Sequence, residues 1–333
     1  MLNRRQFAAL AGGTAVAGLL PQFAKMNQAW AQAWTPPKGV TVVVPYPAGG
    51  PTDSLARLVS QEIAGPLGQT VIVENVPGGA GAIGSRRVAQ GPADGTQLIA
   101  TTNQTHATNI SLLPDGGGYH PVKDFAPIAL LADLQHVLVV KNDLPVKSVA
   151  DLVALAKKDP GKINCGSTGQ GSASHLTLEL FKSKAGVNMT HVAYKGSAPL
   201  LQDLLGGHVD CSFATTPTVL GQVQAGKLRA IAVASPKRSP HLPELPTIAE
   251  AGVKGVEADA WLGMFAPAAV PAAALARYRA LVLDVMKKDS VRETFFKQGM
   301  VPNVKNDKEF AAFLDQDIKR WAEVIKTANV KAE

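Results

Sequence analysis

The 333-residue sequence holds only two cysteines, Cys165 and Cys211, and has no CxxC, no HExxH and no close His/Cys cluster. Neither a disulfide framework nor a metal site of ordinary spacing is available to it. No stretch reaches the ~20 residues a membrane-spanning helix needs without meeting charge or proline, so the mature chain is expected to be soluble. Aromatic residues are scarce at 5% and charged ones modest at 18%, yet 46% hydrophobic residues make the chain too apolar for disorder. The formal charge is +7, but Arg4, Arg5 and Lys25 fall in the first 33 residues, which carry no acid. Without them 30 bases face 26 acids, and nucleic-acid binding loses its support. No GKS or GKT closes a phosphate loop, and no serine stands in GxSxG.

What is there begins with a leader. Asn3-Arg4-Arg5-Gln6-Phe7 precedes a mild apolar stretch from Ala8 to Leu20, then Pro21 and the small-residue site Ala31-Gln32-Ala33 before Trp34. Residues 1–33 read as an export signal. The adjacent arginines and the later Lys25 resemble a twin-arginine signal, although Asn3 stands where Ser or Thr is usual. The periplasm is the expected compartment.

Short apolar runs then alternate with helical periods: Val40 to Val44, Val71 to Val76, Leu98 to Thr102, His136 to Val140, Ile163 to Gly166, His191 to Tyr194, Val209 to Phe213 and Leu228 to Ala234. Such alternation argues for a parallel α/β architecture. Near the C-terminus Phe310, Phe313, Leu314, Ile318, Trp321, Val324 and Ile325 recur at helical spacing behind an Asn306 or Asp307 cap. No composition break marks a linker between independent domains, so two lobes sharing a crossing chain are expected. The candidate crossings are Val137 to Val140 and Glu257 to Pro267.

In open α/β sheets ligands bind beyond the carboxyl ends of strands. The first strand ends in Pro45-Tyr46-Pro47-Ala48-Gly49-Gly50-Pro51-Thr52-Asp53 and runs into a helix. Glycine lets backbone N–H groups approach a ligand, and a helix N-terminus adds free donors, which together suit an anion. A tight turn in which Thr52 or Asp53 merely caps the helix explains the same residues. The design recurs at Thr168-Gly169-Gln170-Gly171-Ser172-Ala173-Ser174-His175. Other strands end in Thr101-Thr102-Asn103-Gln104-Thr105-His106, in Tyr194-Lys195-Gly196-Ser197 and in Ala214-Thr215-Thr216. These hydroxyls and amides orient a ligand but lack the acid and base pair that chemistry needs. Gly79-Ala80-Gly81-Ala82-Ile83-Gly84 is a literal GxGxxG, yet no acidic residue for a ribose follows about 20 residues on, so close packing is the expected role. Both cysteines fall on expected strands, and although an oxidising compartment permits a bond between them, two separate buried thiols are expected.

At these loops the sequence resembles the Bug proteins, the TctC-like substrate-binding components of tripartite tricarboxylate transporters. The similar stretches are Pro45 to Asp53, Val73 to Gly81, Gly169 to Leu176, Tyr194 to Pro199, Pro246 to Gly252 and Trp261 to Gly263, in family order. The resemblance implies a type II periplasmic-binding-protein fold, two α/β lobes joined by two crossing strands and closing on a small carboxylate. Residues 34–138 with 257–333 would form one lobe and 139–256 the other. It also implies ligand contacts from Tyr46, Ala48, Gly49, Gly50, Thr52 and Asp53; from Thr102, Asn103, Thr105 and His106; from Thr168, Gly169, Ser172 and Ser174; and from Tyr194, Gly196, Ala214 and Thr215. Membrane subunits of a transporter would be the partners. A monomer without cofactor or metal is expected.

Three functions compete: delivery of a small carboxylate to a transporter, a periplasmic sensor docking on a membrane receptor, and a hydrolase using Ser172, Ser174 or His175. The absent catalytic set favours the first. Where relatives often have Asp, the chain has Ala214, so a carboxylate without an amino group is expected; Tyr46 and Trp261 are candidate flat walls, and Lys195 a candidate positive charge.

Overall fold

The computed structural model describes residues 34–331, so the export reading of residues 1–33 lies outside the described residues. β1 (Val40–Val44) is a run of β-branched residues with almost no exposure, as a strand covered on both faces requires. α1 (Pro51–Leu67) starts with proline in its first turn, buries Leu55, Val59 and Ile63 at helical spacing, and stops at Gly68 with φ +71°. β2 (Val71–Asn75), α2 (Ala82–Ala89) and β3 (Gln97–Thr102) follow, then a π-helical turn over Gln104–Thr108. β4 (Phe125–Leu134) leads directly into β5 (His136–Lys141). Next come α3 (Val149–Lys158), β6 (Asn164–Ser167), α4 (Ala173–Ala185), β7 (Thr190–Ala193), α5 (Ser197–Leu205), β8 (Cys211–Thr215), α6 (Thr216–Gln224) and β9 (Leu228–Val233). β10 (Ala260–Pro267), α7 (Ala272–Lys287), α8 (Asp289–Lys297), β11 (Val301–Lys305) and α9 (Asp307–Thr327) complete the chain.

Two sheets result, ordered β11-β4-β10-β3-β1-β2 and β7-β6-β8-β5-β9. β1 pairs in parallel with β2 and β3, while β10 is antiparallel to β3 and β4. In the second sheet β6 is parallel to β7 and β8, and β5 is antiparallel to β8 and β9. Each sheet with its helices is one α/β lobe, and the chain passes between them at Gln135 and again between β9 and β10. The first passage differs from the expected boundary after residue 138, because His136 and Val137 already pair with β8. No helix among the described residues is long and apolar enough to cross a membrane.

Asn306 caps α9 in a full capping box with Glu309, which settles the choice between Asn306 and Asp307. The glycine run packs tightly: a Cβ on Gly84 would lie 2.7 Å from the Val76 carbonyl oxygen and 3.0 Å from Pro45. The helix of that run therefore presses on the loop after β1 and leaves no room for a pyrophosphate. Cys165 and Cys211 are buried and free, as expected, and they stand opposite each other in the β6–β8 register. Cys165 beside it, together with burial, pushes the Cys211 thiol well above its usual range.

Candidate functional site

The lobes meet across a small cavity of about 80 Å³, room for roughly half a dozen water-sized groups. Its upper wall is the loop after β1 with the start of α1, where Tyr46, Pro47, Gly50, Pro51, Thr52 and Asp53 line it. The facing wall is Thr168, Ser172, Ala173 and Ser174 at the start of α4, with Gly196 and Ser197 at the start of α5. Thr102, Asn103 and Gln104 close one end, and Leu134, His136, Thr215 and Ala260 form a floor where the chain crosses between lobes.

Three helices thus point their N-termini at one volume. In α1 the first backbone bond is donated by Ser54 to the Gly50 carbonyl, and in α4 Leu176 donates to the Ser172 carbonyl. The N–H groups of Thr52, Asp53, Ala173 and Ser174 precede those bonds and remain open to a ligand. Ser174 Oγ accepts from the Thr168 N–H at 3.0 Å, which sets the loop at the start of α4. Ser172 caps the helix, accepting from the His175 N–H. Tyr46 places its hydroxyl 2.8 Å from Thr102 Oγ1.

Asp53 is the one carboxylate in the lining among the described residues, and its oxygens are spent. It accepts from the Gly49 N–H at 3.0 Å and the Asn75 amide at 3.1 Å, and pairs with Arg57 at 3.0 Å. Burial opposes its ionisation, yet Arg57, the Gly49 N–H and Asn75 together hold it below the usual carboxylate range. The N-cap of α1 is Gly50, with no side-chain cap, so Asp53 braces the loop rather than capping the helix. Among the described residues no lysine or arginine lines the cavity. A bound anion there meets helix dipoles, N–H groups and hydroxyls instead of a cation.

Several residues expected at the ligand stand elsewhere. Ala48 is an exposed loop tip, and Gly49 lies at an outer mouth with its N–H committed to Asp53. Thr105 turns its hydroxyl to Thr101, and the His106 ring packs between Phe125 and Phe265 at 4.5 and 4.2 Å. They belong to the core because the π-helical turn folds back under β3. Gly169, Tyr194 and Lys195 line a neighbouring groove; Tyr194 donates to Asp203, and Lys195 is exposed. Ala214 is buried inside β8, which runs two residues past the expected Phe213, so Thr215 is the residue that reaches the cavity. Trp261 is buried and donates to Asp317, a core residue and not a wall. His175 accepts from the Gly171 N–H and stacks on His191 at 3.9 Å, away from the cavity. Ser167 bonds His191 at 2.6 Å, but neither lines the cavity, and the hydroxyls of Ser172 and Ser174 bond Gly169, Thr168 and each other, with no histidine ring among their partners in the described residues.

The sequence reading missed Pro47, Pro51, Gln104, Ala173, Ser197, Leu134, His136 and Ala260 as lining residues. The last three sit at the two crossings, whose approximate places along the chain were the available signal.

A contact closes over the site. Gly196, at φ +109°, lies under Pro47 of the other lobe, and a Cβ on it would approach Pro47 to 3.2 Å. Gln104 Nε2 also donates to the Gln170 carbonyl across the lobes at 3.2 Å.

A family model described as tripartite tricarboxylate transporter family receptor, TctC, matches residues 55–330. Protein BugT of Bordetella pertussis is 33% identical over 297 residues, 89% of this chain and 91% of that one. Among solved structures, R. palustris Rpa4515 with adipate is 38% identical with a TM-score of 0.85, covering 89% of this chain and 99% of that one. MatC from Rhodopseudomonas palustris with bound malate is 32% identical with a TM-score of 0.81, covering 87% and 99%.

Proposed function

The chain belongs to the tripartite tricarboxylate transporter receptor family, and from that premise we propose that it captures a small carboxylate without an amino group in the periplasm and delivers it, chemically unchanged, to the membrane subunits of such a transporter. One observation carries the reading: three helix N-termini converge on a cavity that has no cationic side chain and whose single carboxylate is already held by Arg57, Gly49 and Asn75. Carboxylate oxygens match those open N–H groups. An ammonium enclosed beside them has no free anion to pair with, and its desolvation goes uncompensated. Neither a base for Ser172 nor a second free carboxylate supports turnover.

Isothermal titration of the protein with succinate, citrate, a benzene dicarboxylate, aspartate and glutamate tests it. At least one of the first three binds with one-to-one stoichiometry and is recovered intact. Tightest binding to either amino acid, or release of an altered molecule, overturns the proposal.

A further inference from the structure

The start of α4, which lines the facing wall of the cavity, is capped by a histidine where an acid or amide is usual. Its N-cap is Ser172, and the third helical position, at which Glu or Gln closes a capping box, is His175. His175 donates its own backbone N–H to Ser172 Oγ at 3.3 Å and accepts the Gly171 N–H on Nδ1 at 3.1 Å. The ring is buried and stacks on His191 at 3.9 Å, with the two planes 10° apart. His191 Nε2 in turn lies 2.6 Å from Ser167 Oγ, which accepts the Gly169 N–H at 3.2 Å. Gly169 and Gly171, both at positive φ, are thus tied to the histidine pair, the first through Ser167 and the second directly. Between and just after them stand Thr168, Ser172, Ala173 and Ser174, the residues that face the ligand volume.

A backbone N–H can only donate, so Nδ1 of His175 holds no proton, and the ring, with its one proton on Nε2, carries no charge. Glu179 Oε1 stands 3.8 Å from Nε2 and is paired with Lys182 at 2.8 Å, which favours the proton on that side. Burial first, then His191 and Lys182 nearby, hold the imidazole pKa down at about 3, in agreement with the geometry. An acid at position 175 would satisfy the same N–H but bring a full negative charge to the helix start. The open N–H groups of Ala173 and Ser174 lie one and two residues away, and a carboxylate bound to them would be repelled. The cap and the ligand therefore make opposite demands on this position.

Resting on the carboxylate reading, we infer that His175 is a positioning residue of the site, which completes the cap of α4 and fixes the Gly169–Ser174 loop with an uncharged acceptor, so that the positive end of the helix is kept for the ligand's carboxylate. An acid here would stabilise the helix and weaken binding. A side chain with no acceptor would strand the Gly171 N–H and loosen the loop.

Three substitutions separate these effects. His175→Asn keeps an acceptor the same number of bonds from Cα as Nδ1, His175→Asp adds a charge to that acceptor, and His175→Leu removes it. All three lose the stacked ring, so the Asn protein is the reference. Each is titrated calorimetrically at pH 7 with succinate, citrate and a benzene dicarboxylate, and its melting temperature is read without ligand. For an acid that binds the unaltered protein, the Asn protein should stay within about tenfold of it, and the Asp and Leu proteins should each bind at least about tenfold more weakly than Asn. The Asp protein should nevertheless melt no lower than the Asn protein, whereas the Leu protein melts lower. A merely structural histidine would give affinities that follow melting temperature, and Asp binding within threefold of Asn overturns the inference. If the Asp protein fails to fold, equal affinities of Asn and Leu overturn it. Binding of none of the three acids to the unaltered protein overturns the carboxylate reading and this inference with it.

Discussion

Replacing His106 by phenylalanine should remove an acid-sensitive element from the first lobe. The His106 ring is fully buried against Phe125 and Phe265, its Nδ1 lies 2.9 Å from Thr105 Oγ1, and its Nε2 has no partner among the described residues. Burial lowers its pKa from 6.5 to about 3. Because the folded value is depressed, the unfolded chain binds the proton more tightly, and stability present above pH 6.5 is lost as pH falls toward 3. With those two values, the loss between pH 7 and pH 5 is about 2 kcal/mol. Phenylalanine keeps the ring packing, discards the orphaned nitrogen and forgoes the bond to Thr105, so its effect at pH 7 should stay within about 1 kcal/mol. Other titrating groups contribute to the pH slope of both proteins and cancel in the difference. Urea unfolding followed by circular dichroism at pH 7, 6 and 5 supplies that difference. The variant should gain about 2 kcal/mol on the unaltered protein by pH 5. A difference that stays constant across the three pH values refutes the argument.

Two further outcomes follow from the crossings and the closing contact. Asp259, beside the second crossing, is buried near Asp133, and burial first and that neighbour second raise its pKa to about 7, against the donated Ser235 hydroxyl. Its folded value being raised, it weakens the fold progressively as pH rises from the ordinary carboxylate range through 7, so Asp259→Asn should raise the melting temperature at pH 8 and have little effect at pH 4; the reverse order in a thermal scan contradicts the sign. Gly196→Ala should weaken ligand affinity at least tenfold and also lower the melting temperature, because the methyl group meets Pro47 across the lobes and φ +109° strains any side chain; unchanged affinity by titration would show that Pro47 yields.

Most strands were legible because β-branched runs such as Val40 to Val44 end abruptly in glycine or proline. β4 was not, since its Ala- and Leu-rich Phe125–Leu134 carries Pro127 and lacks alternation, and β11 hides behind Pro302 and Asn303. Within the site, hydroxyl-rich loops after strands could be read from local composition alone. His136 looked like the start of an ordinary strand, and only the approach of Ala260 and Thr215 from distant parts of the chain makes it a wall of the cavity. His106 erred the other way, for a polar residue after a strand suggests a loop, while the π-helical turn carries it inward. The resemblance to a family pointed to loops that line the cavity but could not tell which residue of each faces in.

The placement of β10 bears on how the chain reaches this state. β10 lies between β3 and β4 at the centre of the first sheet, where Leu134 pairs with Ala260 and Thr102 with Leu262. The five strands of the second sheet are all present once Val233 has been made, whereas the first sheet stays split, with β3 and β4 each showing an open apolar edge, until residues 260–267 arrive. The second lobe is thus able to condense on a chain whose first lobe cannot. Long-range pairing of this kind folds slowly and leaves unpaired edges exposed meanwhile. A chain stopped short of β10 would carry one finished lobe, a three-stranded β2-β1-β3 sheet with an open edge and an unpaired β4, a species for chaperone capture or proteolysis and not a smaller working receptor.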